Sequence, residues 1–555
     1  MWRTRILAPF LLLGLFADVA LAALVEQSGD LGAVLRAITL PGARSEAFRT
    51  PGGEEIARWR EALDALLAGN GAGAAGLADP LGYDVIAFSD TGSGAKYWLL
   101  QERAANARAL GTYVVNPNAC RLLSIQAPHA GGDLNTLPQG VAFFLGLNAH
   151  SLLIAGAHRC ANTQVAGCGG TTSVCSADGS EQPYTISDPS HFTQTFFQAT
   201  HEQIARRLPG SMAISLHGFT WQAGDPEAIV SNATCNNRAP SVATQVAEAY
   251  TRRFAEMGLA FTAGSCNAPG GPTRLCAETN VQGRFSAGAV DACACSGGGG
   301  TCAAGSNCPR TAEYPERFVH IEQSCAMREV GTCGRPGRFS YADGVGVLRD
   351  LFPCWPRIAA AVHGASFERE ALAPGAFFTL YGSNLGADVT MEACGRAAAL
   401  TYAGSGQQLN GILPEGTDAG RACRIAVRAG GVEAAGAGVV PVFDTAEVEV
   451  KAQALALFTH EGRAIVTDTL GLLHTAARPA ARGSIVSLWA TGGGVASPFA
   501  AEITIGGAAA RVFYAGRAPG FPGLDQINVE IPTAAGTGAQ PLVVNGRRYE
   551  IAIAP

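Results

Sequence analysis

The sequence predicts a multidomain protein: an α/β domain on a mainly parallel sheet, followed by two immunoglobulin-like β-sandwich repeats. Three observations carry this. Strand-length apolar runs alternate with helical periodicity across residues 80–355. Beyond about residue 356 the helical period fades and Gly, Ala and Val rise. A unit of about 100 residues, the size of a β-sandwich, then recurs. The expected division is 1–22 signal peptide, 23–355 α/β domain, 356–450 first β-repeat and 451–555 second β-repeat.

The N-terminus reads as a secretory leader. Arg3 and Arg5 precede the apolar run Ile6 to Phe16, and Ala20-Leu21-Ala22 offers the small residues of a cleavage site. The run is shorter than the roughly 20 residues that span a bilayer, and no later stretch reads as a membrane helix. A soluble mature protein is expected, secreted, periplasmic or held at the cell surface. Its 16 cysteines all lie beyond the leader, and an even count in an exported chain points to disulfides. Cys394 and Cys423, alone in the β-repeats, are expected to pair. The Gly- and Cys-rich segment 286–312 reads as an insertion. Paired CxxC spacing for a zinc ribbon, CxxCH for haem, a GxSxG elbow and a GxxxxGK phosphate loop are absent from the sequence. Removing the leader takes away Arg3, Arg5 and Asp18 and moves the net charge from −6 to about −7, which excludes a basic footprint for nucleic acid.

Within the α/β region, Ile56, Trp59, Leu63, Leu66 and Leu67 give residues 53–68 one apolar helical face. Val242, Val246, Phe254 and Met257 do the same for 241–258, with Gly258 closing that helix. Strands are expected at Leu122 to Ala127, Leu152 to Ala157, Met212 to Leu216 and Phe318 to Ile321. In the C-terminal part, Ala373 to Gly382 aligns with Ala481 to Ala490, and Tyr402-Ala403-Gly404 with Tyr514-Ala515-Gly516. Gln408-Leu409-Asn410 and Pro414 align with Gln526-Ile527-Asn528 and Pro532.

Together with Ala365-Ser366-Phe367, Gly382-Ser383-Asn384-Leu385 and Ala518-Pro519-Gly520, these segments resemble an uncharacterised C-terminal β-domain of secreted acidobacterial proteins. The resemblance covers roughly 356–555 and implies an accessory extracellular module. His460 and His474 stand isolated in it and are expected to serve surface or packing roles.

Chemistry concentrates at strand ends. The strand runs lead into His129, into His158-Arg159, into His217 and into Glu322. Ligand crevices of open α/β sheets lie beyond the carboxyl ends of the strands, so these groups are expected to converge. The residue types suit zinc, whose catalytic sites take about three His or carboxylate ligands and keep a position for water. His129 and Asp133 from one glycine-containing loop, with His217, are the candidate metal ligands. Bound zinc lowers the pKa of its water toward about 7. Glu322 is the candidate general base, and Arg159 the candidate for stabilising an oxyanion or holding a substrate carboxylate.

The order of these elements resembles zinc carboxypeptidases and N-formylglutamate amidohydrolases over about residues 115–330. The matching segments are His129 with Asp133, Arg159 with Asn162, His217, and Glu322. The resemblance implies a phosphorylase/hydrolase-like α/β sheet, zinc as cofactor and hydrolysis of an amide or peptide bond in a peptide, amino-acid derivative or cell-surface polymer. The sequence departs from the carboxypeptidase pattern in one respect: three residues rather than two separate His129 from its acid, and the acid is Asp.

His158, Asn162 and His191 are candidate substrate-binding residues. Ser187 to His191 reads as a helix start, with Asp188 as N-cap and Pro189 at the first helical position; His191 is then a site residue or a local hydrogen-bonding group. His201 falls on the same helical face as Phe197 and is expected to pack. His320 alternates with Glu322 on one strand face, a position for a supporting partner. The competing class is a non-enzymatic extracellular binding or adhesion protein, in which the β-repeats act and the histidines are structural. The repeats would hold the chain near a cell surface in either case.

Overall fold

The computed structural model describes residues 24–555 except 235–240, 290, 294–315, 331–338, 387–388, 405, 431–432, 435–437 and 440–442. The expected signal peptide and most of the expected 286–312 insertion lie outside the described residues. Ten strands form one sheet. They are β1 (Val25–Gly29), β2 (Tyr83–Asp90), β3 (Lys96–Glu102), β4 (Thr112–Val115), β5 (Arg121–Ala127), β6 (Ala149–Ile154), β7 (Met212–Gly218), β8 (Ala228–Ser231), β9 (Ala263–Ser265) and β10 (Phe318–Gln323). Their order is β1-β2-β3-β4-β6-β5-β7-β10-β8-β9.

This sheet is mixed, which corrects the mainly parallel expectation. β6, β5, β7 and β10 form a parallel block, but β2-β3, β3-β4, β4-β6 and β8-β10 pair antiparallel. The cause is connection length. β2 and β3 are joined by a short turn around Gly94, and only antiparallel neighbours can be joined so tightly. The central block has helical crossovers and runs parallel, so the carboxyl ends of β6, β5, β7 and β10 share one edge.

Among the described residues, eight α-helices cover the two faces. In chain order they are α1 (Leu31–Arg36), α2 (Gly53–Leu67), α3 (Gly71–Ala78), α4 (Thr136–Gly146), α5 (Phe196–Arg207), α6 (Val242–Glu256), α7 (Val281–Ser286) and α8 (Tyr341–Leu351). α1, α4, α6 and α8 bury Leu35, Val141, Val246 and Leu348 in one core, while α2, α3 and α5 bury Trp59, Ala74 and Phe197 in the other. Successive strand residues feed opposite cores, as Leu152 and Leu153 of β6 show. In α2 the apolar spacing delivers Trp59 onto Phe196, with rings stacked at 4.4 Å, while its Nε1–H donates to Thr200 Oγ1 at 2.9 Å. Disulfides Cys120–Cys354, Cys160–Cys175, Cys168–Cys293 and Cys266–Cys276 staple the domain, and such bonds persist in oxidising compartments. No helix of the described residues is long and apolar enough to cross a membrane.

Beyond residue 356, two units each pack a pair of antiparallel sheets face to face. In the first, Arg357–His363, Phe377–Leu385, Gly406–Ile412 and Ala399–Ala403 lie against Arg396–Ala397, Val389–Ala393, Ala422–Ala429 and Phe443–Glu449, around Phe378, Leu409 and Ile425. The second repeats the scheme around Leu488, Ile527 and Leu542. The aligned segments match in detail. Gly375 and Gly483 both turn through positive φ (76° and 77°). Asn410 Oδ1 accepts from Thr379 and Gln408, and Asn528 Oδ1 accepts from Ser487 and Gln526. A bulge falls just before Tyr402 and just before Tyr514. Cys394 and Cys423 are bonded to each other.

Candidate metal centre

The carboxyl edge of the parallel block opens into a cavity of about 620 Å³ whose lining includes His129, Arg159, His191, His217, His320 and Glu322. β7 and β10 bring His217 and Glu322 to the same register position. His129 follows β5 by two residues. There the chain makes one tight turn, with Gly132 N and Asp133 N both donating to the His129 carbonyl at 2.8 and 2.9 Å. The turn returns Asp133 to the side of His129. Its glycines pack under His158; a Cβ at Gly131 or Gly132 would stand 3.0 or 3.1 Å from that residue.

Asp133 Oδ2 lies 3.4 Å from His129 Nδ1 and 3.7 Å from His217 Nδ1. Ligand atoms about 2.0–2.2 Å from a tetrahedral zinc stand about 3.3–3.6 Å apart; the two separations from Asp133 Oδ2 are close to that range, and one ligand atom from each of the three residues lies within 4.8 Å of the others. His129 Nδ1 is buried without a hydrogen-bond partner. The far nitrogens are engaged: His129 Nε2 donates to Asp188 Oδ1 at 2.9 Å, and His217 Nε2 meets Ser215 Oγ at 3.0 Å. For His129 that is the outer-shell arrangement which fixes the tautomer of a metal-binding histidine and leaves Nδ1 as the lone pair, while the Ser215 hydroxyl can either donate to or accept from His217 Nε2. The donor set therefore fits zinc. Asp133 Oδ1 accepts from Arg159, and Oδ2 also accepts from Gly218 N at 3.0 Å.

Electrostatics keep the histidines neutral. Burial, with Arg159 next, lowers the His129 pKa despite Asp188. Burial, then His320 and His129, hold His217 well below the usual range. Burial opposes ionisation of Asp188, but His191 and His129 overcome it and hold its carboxyl well below 3.8. Glu322 is pushed up by burial, partly offset by Arg159, the direction that suits a carboxylate taking a proton near neutral pH.

Not every candidate reaches the cavity. Asn162 turns its Nδ2 to Glu46 and the Phe48 carbonyl and bridges loops instead. His158 receives Cys160 N on its Nδ1 at 2.9 Å and packs on the Gly131-Gly132 turn, while its neighbour Arg159 points inward. His191 does line the cavity; it stacks on Tyr184 at 3.5 Å, with Nδ1 to Asp188 Oδ2 at 3.0 Å and Nε2 to Thr279 Oγ1 at 3.1 Å. His201 is buried, edge-on to Phe285 and Phe318.

Asp188 is the residue the sequence hid. It caps no helix: α5 begins at Phe196 with Thr195 as its N-cap. Asp188 Oδ1 instead accepts Ser190 N in a tight local turn at 3.0 Å, and the same carboxylate orients His129 and His191. An Asp-Pro pair mimics a helix start, and only the approach of His129 from 59 residues away reveals the other role.

No family model matches the chain, and no curated protein does. Among solved structures, the chain is similar to the mixed-linkage glucan utilization locus protein SGBP-B of Bacteroides ovatus (16% identity, 36% of this chain, 46% of that one, TM-score 0.19). It is also similar to the surface glycan-binding protein PbSGBP-B of Prevotella bryantii (11% identity, 35% and 41%, TM-score 0.13), and to titin Ig tandem domains A164–A165 (10% identity, 33% and 91%, TM-score 0.13). The chain spans less than half the length of the two glycan-binding proteins. At these scores the similarities carry no weight for function.

Proposed function

We propose that this protein is an exported zinc-dependent hydrolase of amide or peptide bonds, with two accessory β-sandwiches. The observation that supports it is the close approach of His129 Nδ1, Asp133 Oδ2 and His217 Nδ1, with Asp133 behind two histidines that line a cavity also holding Glu322 and Arg159. When bound, zinc supplies a Lewis acid for the scissile carbonyl and acidifies water. Glu322 takes the proton of the attacking water and returns it to the leaving nitrogen. Arg159, already against Asp133, carries a charge that can swing to the developing oxyanion. Asp188 holds His129 in its tautomer throughout. The disulfides fit an oxidising compartment, and the sandwiches are suited to keep the catalytic domain beside a surface polymer.

The second reading is extracellular binding without catalysis. It is favoured by the sandwich pair, whose outer sheets expose Tyr402 and Phe513, and it requires no metal. The two separate in one experiment. The full mature chain, purified with and without added zinc, is assayed for zinc content and for release of free amine from N-acyl amino acids and short peptides. Bound zinc with chelator-sensitive cleavage supports the hydrolase; no zinc and no cleavage leaves the binding reading.

A further inference from the structure

The cavity contains a second set of buried groups that the first metal site does not use. His320 and Glu322 alternate on β10, so their side chains leave the same face of the strand. His320 Nε2 lies 3.6 Å from Glu322 Oε1, and the His320 ring stands 4.3 Å from that of His217. Among the described residues, no hydrogen bond reaches either ring nitrogen of His320 or either oxygen of Glu322; His320 Nδ1 and Glu322 Oε2 are both sealed from solvent. The two residues are only 4% and 8% exposed. A buried polar group left without a hydrogen bond destabilises the fold, more so if charged, so two adjacent ones on a cavity wall require a cause. His217, His320 and Glu322 each offer a ligand atom, all within 4.8 Å of one another.

We infer that His320 Nε2 and Glu322 Oε1 bind a second divalent cation beside the first, with water completing its coordination and with His217, whose Nδ1 faces Asp133 and whose Nε2 meets Ser215, bounding that position without ligating it. The donor set of imidazole nitrogen and carboxylate oxygen belongs to zinc and its transition-metal neighbours rather than to calcium or magnesium, which prefer all-oxygen cages. The inference rests on the proposed zinc site and extends it. Glu322 ligates through Oε1 on the His320 side, and Oε2 remains free to take the proton of water.

The test is zinc stoichiometry of the mature protein by elemental analysis after equilibrium dialysis, using Zn²⁺ alone as the probe. Two zinc per wild-type chain are expected, falling to one in His320→Ala, which loses the second, and to one in His217→Ala, which loses the first. His320→Gln, closer to the imidazole in volume, gives the same loss of one zinc if the alanine variant fails to fold, and circular dichroism reports folding in each. One zinc in wild type, unchanged in the folded His320 variant, overturns the second site and leaves the first standing. No zinc in wild type overturns both.

Discussion

The α/β domain and the sandwich pair treat buried polar groups in opposite ways. In the sandwiches, His363 is fully buried, yet its Nε2 donates to the Ala454 carbonyl at 2.8 Å and its Nδ1 accepts Ala365 N at 3.2 Å. Asp525, equally buried, accepts from Gly493 N and Arg517. Both residues sit where the two units meet, beside Arg517 reaching to the Pro374 carbonyl and Phe377 N donating to Thr491 Oγ1. Among the described residues of the pair, only Thr417 Oγ1 is a buried side-chain polar atom without a partner. In the α/β domain such atoms also occur elsewhere in the interior, on Gln126, Ser151 and Tyr250 among others, but six of them, on His129, Arg159, Ser190, Asn280, His320 and Glu322, line one cavity. Satisfied burial fixes an interface, whereas unsatisfied burial gathered on one wall marks a place built for something else to complete. The histidine of the sandwich junction has both ring nitrogens bonded, whereas His129 Nδ1 and His320 Nδ1 on the cavity wall have no partner.

This contrast can be broken by substitution. The largest expected effect is on chemistry: Glu322→Gln lowers the hydrolytic rate by about 10²–10⁴-fold while the zinc at His129 and His217 remains. Steady-state kinetics with elemental analysis checks it, and an unchanged rate removes Glu322 from the mechanism. Next, Asp525→Ala leaves Arg517 and Gly493 N without their carboxylate and costs about 3 kcal/mol of sandwich stability. Denaturant unfolding should show that loss with zinc content untouched. A fall in both would mean that the two regions are energetically one.

Asp188→Asn should weaken zinc binding by about 10–100-fold, because the amide can no longer accept from both His129 Nε2 and His191 Nδ1. A competitive chelator titration measures it. The smallest effect is on acid stability. His201 is held neutral between Gln126 and Ser286, and burial lowers its pKa to about 3. A histidine whose folded pKa lies below its unfolded value near 6.5 supports the fold above pH 6.5 and loses that support as pH falls toward 3. His201→Gln should therefore flatten the decline of unfolding free energy between pH 6.5 and 3. An identical slope would show that other groups govern it.

How far the sequence could be read follows from what each feature depends on. The helices at 53–68 and 241–258 were legible because the apolar period alone defines them. The repeat was legible because Gln408/Asn410 and Gln526/Asn528 sit on the same strand of each unit. His129, His217 and Glu322 could be seen as a set because parallel neighbours place their ends on one edge. The mixed sheet was not legible: β1 to β4 pair through turns and contacts that leave no mark in the apolar runs. The sequence presents Asp188 as a cap and Asn162 as a substrate contact, since local spacing cannot show that a carboxylate is claimed by His129 or an amide by Glu46.

The central claim is that His129, Asp133 and His217 hold a metal. Its most direct measurement is the zinc content of the mature chain beside His129→Ala and His217→Ala, each confirmed as folded by circular dichroism. The account predicts at least one zinc per wild-type chain and loss of that zinc in both variants. Wild-type protein that binds no zinc at micromolar concentrations, or variants that keep the full wild-type complement, would contradict it.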